Sequence, residues 1–454
     1  MNLDSLKSYL GAARWFGGKG REFEVAEVHR LAQVPGADDR PTTYLHLVQV
    51  QYDDGGSELY QVPLVFYPDP VSRLDHAFVG WWEEPELGWV HAYDALHDKD
   101  AMAGWLHAFG SKPEGNLRFE RIPGHDLDLD APSTLFSGEQ SNSTVFFGED
   151  SILKVFRKIT PGTNPDIAIH EVLTEAGSDH VAKLFGWVEA DTEEGLLHLA
   201  MLQQFLRTAT DGWELALTSV RNLFAEADLH ADEVGGDFAG EAARLGEALR
   251  EVHVTLAENF ETGTVPAAEV AAGMRARLDE SVPIVPELES FTAQLRGAYD
   301  ALADLGELEV QRIHADLHLG QTLRTVAGWK LVDFEGEPAK ALSDRVLPDS
   351  PWRDVAGMMR SFDYAAHAVQ RTLAGHDETS AQQRAVRAEE WAARNKQHFL
   401  TAYAGGELDA RQGTMLAAYV ADKAVYECVY ETRNRPAWVS IPLEAVARIG
   451  VPSP

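Results

Sequence analysis

The 454-residue sequence has a single cysteine, Cys428, so no disulfide can close within the chain, and that composition suits a reducing compartment. It has no run near the ~18 consecutive apolar residues of a membrane span. Its opening, Met1-Asn2-Leu3-Asp4-Ser5-Leu6-Lys7, lacks the basic and apolar blocks of an export signal. Basic residues are scarce: 39 Lys and Arg stand against 72 Asp and Glu, for a net charge of −33. A field of that sign repels nucleic acid and anionic lipid, so neither is expected as a partner. Internal repeats and low-complexity tails are absent. So is a phosphate loop: Gly17-Gly18-Lys19-Gly20 follows a helical pattern and precedes strands, whereas a P-loop follows a strand and opens a helix. These exclusions lead us to expect a cytoplasmic globular chain, monomeric or weakly oligomeric, long enough for two or three domains.

The patterning predicts three regions. Residues 1–90 form a small cap, with a helix over Leu3 to Ala13 and alternating strands such as Thr43 to Tyr52 and Glu58 to Tyr67. Residues 91–205 are β-rich after a helix at Asp98 to Phe109, and residues 206–454 are mostly helical. In the β-rich region, Glu139-Gln140-Ser141-Asn142-Ser143-Thr144 is a short polar connection of the kind that can lay amides and hydroxyls, including those of Ser141 and Ser143, over phosphates. The strand Ile152-Leu153-Lys154-Val155-Phe156 follows, with one cation among apolar residues. A charge there is seldom left unpaired. Its expected acidic partner lies on the next helix, Asn164 to Ala176, where Glu171 and Asp166 both qualify. The stretch Leu197 to Leu206 reads as a strand running into an extended connector, whose backbone, near Gln203, could hydrogen-bond a nucleotide base.

Two acidic turns in the helical region carry the chemistry. The first reads His314-Ala315-Asp316-Leu317-His318-Leu319-Gly320-Gln321, and the second Asp333-Phe334-Glu335-Gly336-Glu337-Pro338. Phosphoryl transfer needs one carboxylate to orient or deprotonate the acceptor hydroxyl, and an amide with a second carboxylate to hold Mg²⁺ on the phosphates. Asp316 fits the first role; Gln321, five residues on, and Asp333 fit the second. Lys154 would then grip the phosphates. A rival reading makes His314, Asp316 and His318 zinc ligands alternating along one strand face. The second acidic turn and Lys154 favour the kinase. Arg353 and Arg360 could neutralise phosphate or brace the carboxylates. On the helix from Gln412 to Glu431, Tyr426 and Tyr430 form one stripe and Glu427 and Glu431 the adjoining one, followed by Arg433, Arg435 and Trp438. Aromatic faces with carboxylates and guanidinium groups suit a sugar.

The blocks Trp15-Phe16-Gly17-Gly18, Gln140-Ser141-Asn142-Ser143, Ile152 to Phe156, His314 to Gln321, Asp333 to Pro338, Arg353-Asp354-Val355-Ala356-Gly357 and Tyr426 to Pro436 together resemble actinobacterial maltokinases, over nearly the whole chain. The resemblance implies an α+β, bilobal protein-kinase-like fold with an N-terminal cap, a β-rich N-lobe and a helical C-lobe. It implies transfer from ATP, with Mg²⁺, to the anomeric hydroxyl of maltose, giving maltose 1-phosphate for α-glucan synthesis. Carried over, Asp316 is the base, Gln321 and Asp333 hold the metal, and Lys154, Ser141, Ser143 and Gln203 serve the nucleotide. His318, Tyr426, Tyr430, Glu431, Arg433 and Trp438 lie near the sugar, with Glu171, Glu335 and Arg353 in support. A related group acts on glucosamine with a different C-terminal helix, and the Tyr-Glu-Thr-Arg-Asn-Arg-Pro run here looks like the maltose version. The chain departs from its relatives at Ala168, where many carry an acid.

Overall fold

The computed structural model describes residues 1–35, 41–111, 115–136, 138, 141–226, 228–337, 340–373 and 378–449. Gln140, Glu139 and Pro338, singled out above, lie outside the described residues. The chain divides into two compact units, one of residues 1–171 with 182–207, the other of 172–181 with 208–454.

The first unit opens with α1 (Leu3–Ala12), whose N-terminus is capped by the Asn2 side chain accepting from Ser5 N–H at 3.1 Å. Strands β1 (Phe23–Gln33), β2 (Thr42–Tyr52), β3 (Ser57–Tyr67), β4 (Phe78–Glu84) and β5 (Gly88–Asp94) then form an antiparallel sheet in the order β1-β2-β3-β5-β4. Helix α2 (Lys99–Ala108) leads to a second antiparallel sheet. It is built from β6 (Leu117–Arg121), β7 (Ser133–Leu135), β8 (Ser143–Phe147), β9 (Ser151–Val155), β11 (Leu184–Thr192) and β12 (Gly195–Gln204), in the order β6-β11-β12-β9-β8-β7. Between β9 and β11 lie β10 (Lys158–Ile159), which pairs with β3, and α3 (Pro165–Glu175).

Alternation was the expectation for β3. Instead every residue from Tyr60 to Phe66 is buried. One face packs with α1 through Leu6, Leu10, Val62 and Leu64, and the other joins the core of the second sheet through Val65. A strand covered on both sides has no polar face to show. Gln61, fully buried within this run, donates its side-chain amide to the carbonyls of Phe156 (2.8 Å) and Leu199 (2.9 Å). One polar side chain thus satisfies two backbone acceptors where the sheets meet.

The second unit is mostly helical. Strand β13 (Thr210–Asp211) precedes α4 (Gly212–Ala225) and α5 (Ala239–Asn259). Next come β14 (Gly263–Pro266), α6 (Ala267–Ser281), α7 (Thr292–Ala303) and β15 (Glu307–Val310), the last paired with β14. The hairpin β16 (Thr322–Thr325) and β17 (Gly328–Leu331) follows, with β13 on its edge. The chain closes with α8 (Leu342–Arg345), α9 (Trp352–Thr372), α10 (Glu378–Ala404), α11 (Ala410–Asn434) and α12 (Ser440–Arg448). Helix α9 is the centre of this unit, since most of its residues from Trp352 to Val369 are buried. No helix among the described residues is long and apolar enough to cross a membrane.

Candidate active site

In the first unit, Lys154 sits on β9 opposite Thr144 of β8 and Met201 of β12. The Asn164 side chain accepts from Asp166 N–H (2.8 Å) at the start of α3, and Asp166 in that first turn pairs with Lys154 at 2.9 Å. Burial works against the Asp166 carboxylate. The charges of Lys154 and His170 outweigh it and hold the group well below the usual range. Of the two acids left open by the sequence, Asp166 makes this ion pair. Gln203 is paired with Ile152 one residue before β12 ends, and Ser141 is exposed. The register partner of Ser143 is Val155, so its side chain lies on the face opposite Lys154. Its hydroxyl accepts from Arg157 Nε at 2.8 Å.

In the second unit, the hairpin register explains the spacing of the two acid turns. Thr322 pairs with Leu331, and Val332 N–H donates to Gln321 O at 3.0 Å, so residues 321 and 333 emerge side by side. The Gln321 amide donates to Asp333 Oδ2 at 3.1 Å. Ala315 (φ 69°) and Asp333 (φ 67°) are the non-glycine residues with positive φ among those described, one in each acid turn. Such backbone is held only where surroundings over-determine it.

Helix α9 supplies that constraint around Ala315. Asp354 accepts from the N–H groups of His314 and Ala315, both at 2.8 Å, and from His253 Nε2 at 3.1 Å. Burial alone would raise the Asp354 pKa, but the His253 hydrogen bond and the neighbouring histidine charges hold it below the ordinary value. Gly357 lies one turn on, where an added Cβ would stand 2.4 Å from the Leu317 carbonyl oxygen. Ser361 Oγ then accepts from Leu319 N–H at 3.0 Å. Positions 354, 357 and 361 share one helix face, and together they grip the turn carrying Asp316. The sequence reading noted Asp354 and Gly357 only as parts of a block; this spacing of polar and small residues is the signal that could have found their role.

His314 links the two turns. Its Nε2–H donates to Val332 O at 2.9 Å, and Nδ1 accepts from Asp316 N–H at 3.4 Å. Both ring nitrogens are therefore used within the protein. β15 ends at Val310, before His314, so the zinc reading, which needed alternate residues along a strand, loses its geometric basis. His318 Nδ1 accepts from Gly320 N–H at 3.1 Å, and burial pushes the ring below the usual imidazole range.

Around Asp316 the helix α11 contributes a residue the sequence reading missed. Lys423 Nζ lies 3.5 Å from Asp316 Oδ1 and 5.1 Å from the ring centre of Tyr426. Tyr426 and Tyr430 are half-exposed and stacked, 6.4 Å between centroids. Burial and the charges of Glu337 and Asp316 push the Tyr426 hydroxyl up to about 12. Glu431 does not share this exposed face. It is 1% exposed and accepts from Tyr364 Oη (3.0 Å) and from Arg435 Nε (2.9 Å) and Nη2 (2.6 Å). Trp438 stacks on Tyr364, and Arg433 is exposed. Arg353 bridges Asp349 (2.7 Å) and Glu337 (2.8 Å), while Arg360 pairs with Glu427 (2.8 Å) and Asp363. Both arginines are thus engaged in ion pairs. Glu335 lies in the turn after Asp333.

This architecture has relatives. A maltokinase N-terminal cap domain pattern matches residues 9–98. The chain is 28% identical over 351 residues to a glucosamine kinase of Streptacidiphilus jiangxiensis, covering 73% of this chain and 76% of that one. It is 25% identical over 350 residues to a glucosamine kinase of Mycolicibacterium smegmatis, covering 73% and 82%. The structure of a glucosamine kinase in complex with glucosamine, ADP and inorganic phosphate superposes with a TM-score of 0.71 at 22% identity, over 98% of this chain and 99% of that one. That likeness establishes the α+β kinase-like fold. The pattern of the phosphotransferase enzyme family matches residues 133–391, more than half of the sequence, and the chain belongs to that family.

Proposed function

We propose that this phosphotransferase is an ATP-dependent sugar kinase that phosphorylates maltose at its anomeric hydroxyl. The observation that carries the reading is Asp316 lying beside Lys423 and the exposed Tyr426–Tyr430 pair, a carboxylate next to an aromatic surface of sugar-binding character. The cap domain match adds support. In this reading residues 1–90 form the cap, 91–205 the nucleotide lobe and 206–454 the lobe that holds the acceptor.

Asp316 would accept a hydrogen bond from the acceptor hydroxyl and take its proton as the phosphoryl group arrives. Tyr426 and Tyr430 would pack against the sugar's C–H face, with His318, Arg433 and Trp438 nearby, and Glu431 would hold Tyr364 and Arg435 in place beneath them. Lys154, paired with Asp166, would grip the nucleotide phosphates, with Ser141 and the backbone near Gln203 contributing. The carboxylate of Asp333 and the amide oxygen of Gln321 are hard oxygen donors of the type Mg²⁺ prefers; the two side chains touch through the Gln321 amide nitrogen, and holding the ion would require the amide to turn its oxygen towards it. Bound there, Mg²⁺ would neutralise charge on the phosphates.

Glucosamine is the second reading, favoured by the names of the relatives. The cations Lys423 and Arg435, 5.1 and 5.6 Å from the Tyr426 and Tyr430 ring centres, argue against an ammonium group on this face. A panel of free sugars with ATP, read by ADP release and by NMR of the phosphorylated position, tests the choice. Turnover of maltose at its anomeric carbon is expected; turnover of glucosamine without maltose would overturn it.

A further inference from the structure

The carboxylate of Asp316 is tethered at one point. Among the described residues its oxygens accept no hydrogen bond, and its ion-pair partner is Lys423, with Nζ 3.5 Å from Oδ1. The two side chains are 26% and 31% exposed, so burial locks neither. A base that must meet one hydroxyl needs its free oxygen aimed, and a carboxylate pinned at one oxygen presents the other.

Lys423 is itself placed from the far side. On α11 it shares a face with Tyr426, Glu427 and Tyr430, and its ammonium lies 5.1 Å from the Tyr426 ring centre, within cation–π reach. The acids flanking it on that helix are engaged by arginines. Asp422 accepts from Arg277 Nε (3.0 Å) and Nη2 (2.7 Å), and Glu427 accepts from Arg360 Nε (2.8 Å). Arg360, buried on α9, thereby anchors α11 one turn beyond Lys423. Asp354 and Ser361 of the same α9 hold the backbone of the Asp316 turn. One helix thus fixes the supports of both members of the Lys423–Asp316 pair.

We propose that Lys423 is a positioning residue of the acceptor site, fixing Asp316 through Oδ1 so that Oδ2 meets the acceptor hydroxyl. The proposal rests on the reading of Asp316 as the base and deepens it. In the transfer the acceptor O–H bond breaks and its proton passes to Oδ2. The acceptor oxygen bonds the γ-phosphorus, and ADP leaves with the electron pair of the broken P–O bond. Lys423 stays charged throughout and exchanges no proton, so it acts only through Asp316.

Steady-state kinetics of Lys423→Met, Asp316→Asn and the double variant test this, on the full chain with whichever sugar supports turnover. Lys423→Met should lower kcat about 10–100-fold, the scale of a misplaced catalytic group, with the sugar KM changed by less than about twofold. In the Asp316→Asn background the same substitution should lower kcat by less than about twofold, because residues acting as one unit are not additive. A second measurement uses Lys423→Cys alkylated with 2-bromoethylamine, which returns an ammonium with sulfur in place of one methylene. Cys428 is buried, and burial pushes its thiol up to about 12, so it is shielded from the reagent. Alkylation should restore most of the lost kcat. Multiplicative losses in the double variant, unchanged kcat in Lys423→Met, or no recovery on alkylation would each overturn the proposal and leave Asp316 as the base. A raised sugar KM with kcat intact would also overturn it, making Lys423 a sugar ligand. Absence of turnover with every sugar, or Asp316→Asn working at the original rate, would overturn the underlying reading and this proposal with it.

Discussion

Replacing Gly357 by alanine tests how the turn carrying Asp316 is aimed, because it adds one methyl group to α9 and touches no proposed catalytic side chain. The new Cβ would stand 2.4 Å from the Leu317 carbonyl oxygen, which is backbone and cannot rotate away. Carbon and oxygen pack comfortably near ~3.4 Å, so α9 and the turn must part by on the order of 1 Å. Stability should change little. Alanine gains about 1 kcal/mol of helix propensity over glycine, and overpacking costs about 1–3 kcal/mol, leaving a net loss of ~0–2 kcal/mol. Activity should change much more. Asp316 precedes Leu317 directly, and a displacement of ~1 Å at a reacting group costs on the order of 100-fold. The assay is ADP release with whichever sugar supports turnover by the unsubstituted chain, beside urea unfolding of both proteins. A fall in kcat of about 100-fold with a cooperative urea transition lowered by no more than ~2 kcal/mol is expected. Unchanged kcat in a stably folded Gly357→Ala protein would refute the view that α9 aims Asp316 through this contact.

Three further outcomes follow from the same geometry. Asp316→Asn should lower kcat by about 10²–10⁴-fold, the usual share of a general base, while equilibrium nucleotide binding stays near normal; phosphorylation at the original rate would remove Asp316 from that role. Tyr426→Ala should raise the sugar KM by roughly tenfold, from ~1–2 kcal/mol of lost aromatic packing, with the KM for ATP unmoved; an unchanged sugar KM would place the acceptor elsewhere. Asp94, Asp354 and Asp363 are buried, and burial works against their charge, but Arg157, His253 and Lys396 respectively outweigh it and hold each below its ordinary value. The unfolded chain then binds protons more readily than the folded one. The stability these groups contribute should be complete above about pH 4 and be lost as pH falls through their folded values. Urea midpoints measured from pH 7 to pH 3 should drop at the acid end, and a flat profile would contradict the assignment.

The sequence by itself determined what depends on neighbours along the chain. Patterning marked residues 206–454 as mostly helical, and the types and spacing of Asp316, Gln321 and Asp333 marked two acid turns. A lone lysine among apolar residues marked β9 as a strand needing an acidic partner. Tertiary structure decided everything that depends on residues far apart in the chain. It chose Asp166 for Lys154, turned Ser143 to the opposite face, and buried Glu431 under Tyr364 and Arg435. It covered β3 on both sides, so that its polar-apolar rhythm no longer tells inside from outside. It also set Asp354, Gly357 and Ser361 against the Asp316 turn some forty residues earlier. The reason is physical: local pattern reports which face of an element is apolar, whereas the identity of the group met by a polar side chain is set by packing between elements, where one carboxylate can satisfy donors that no periodicity connects.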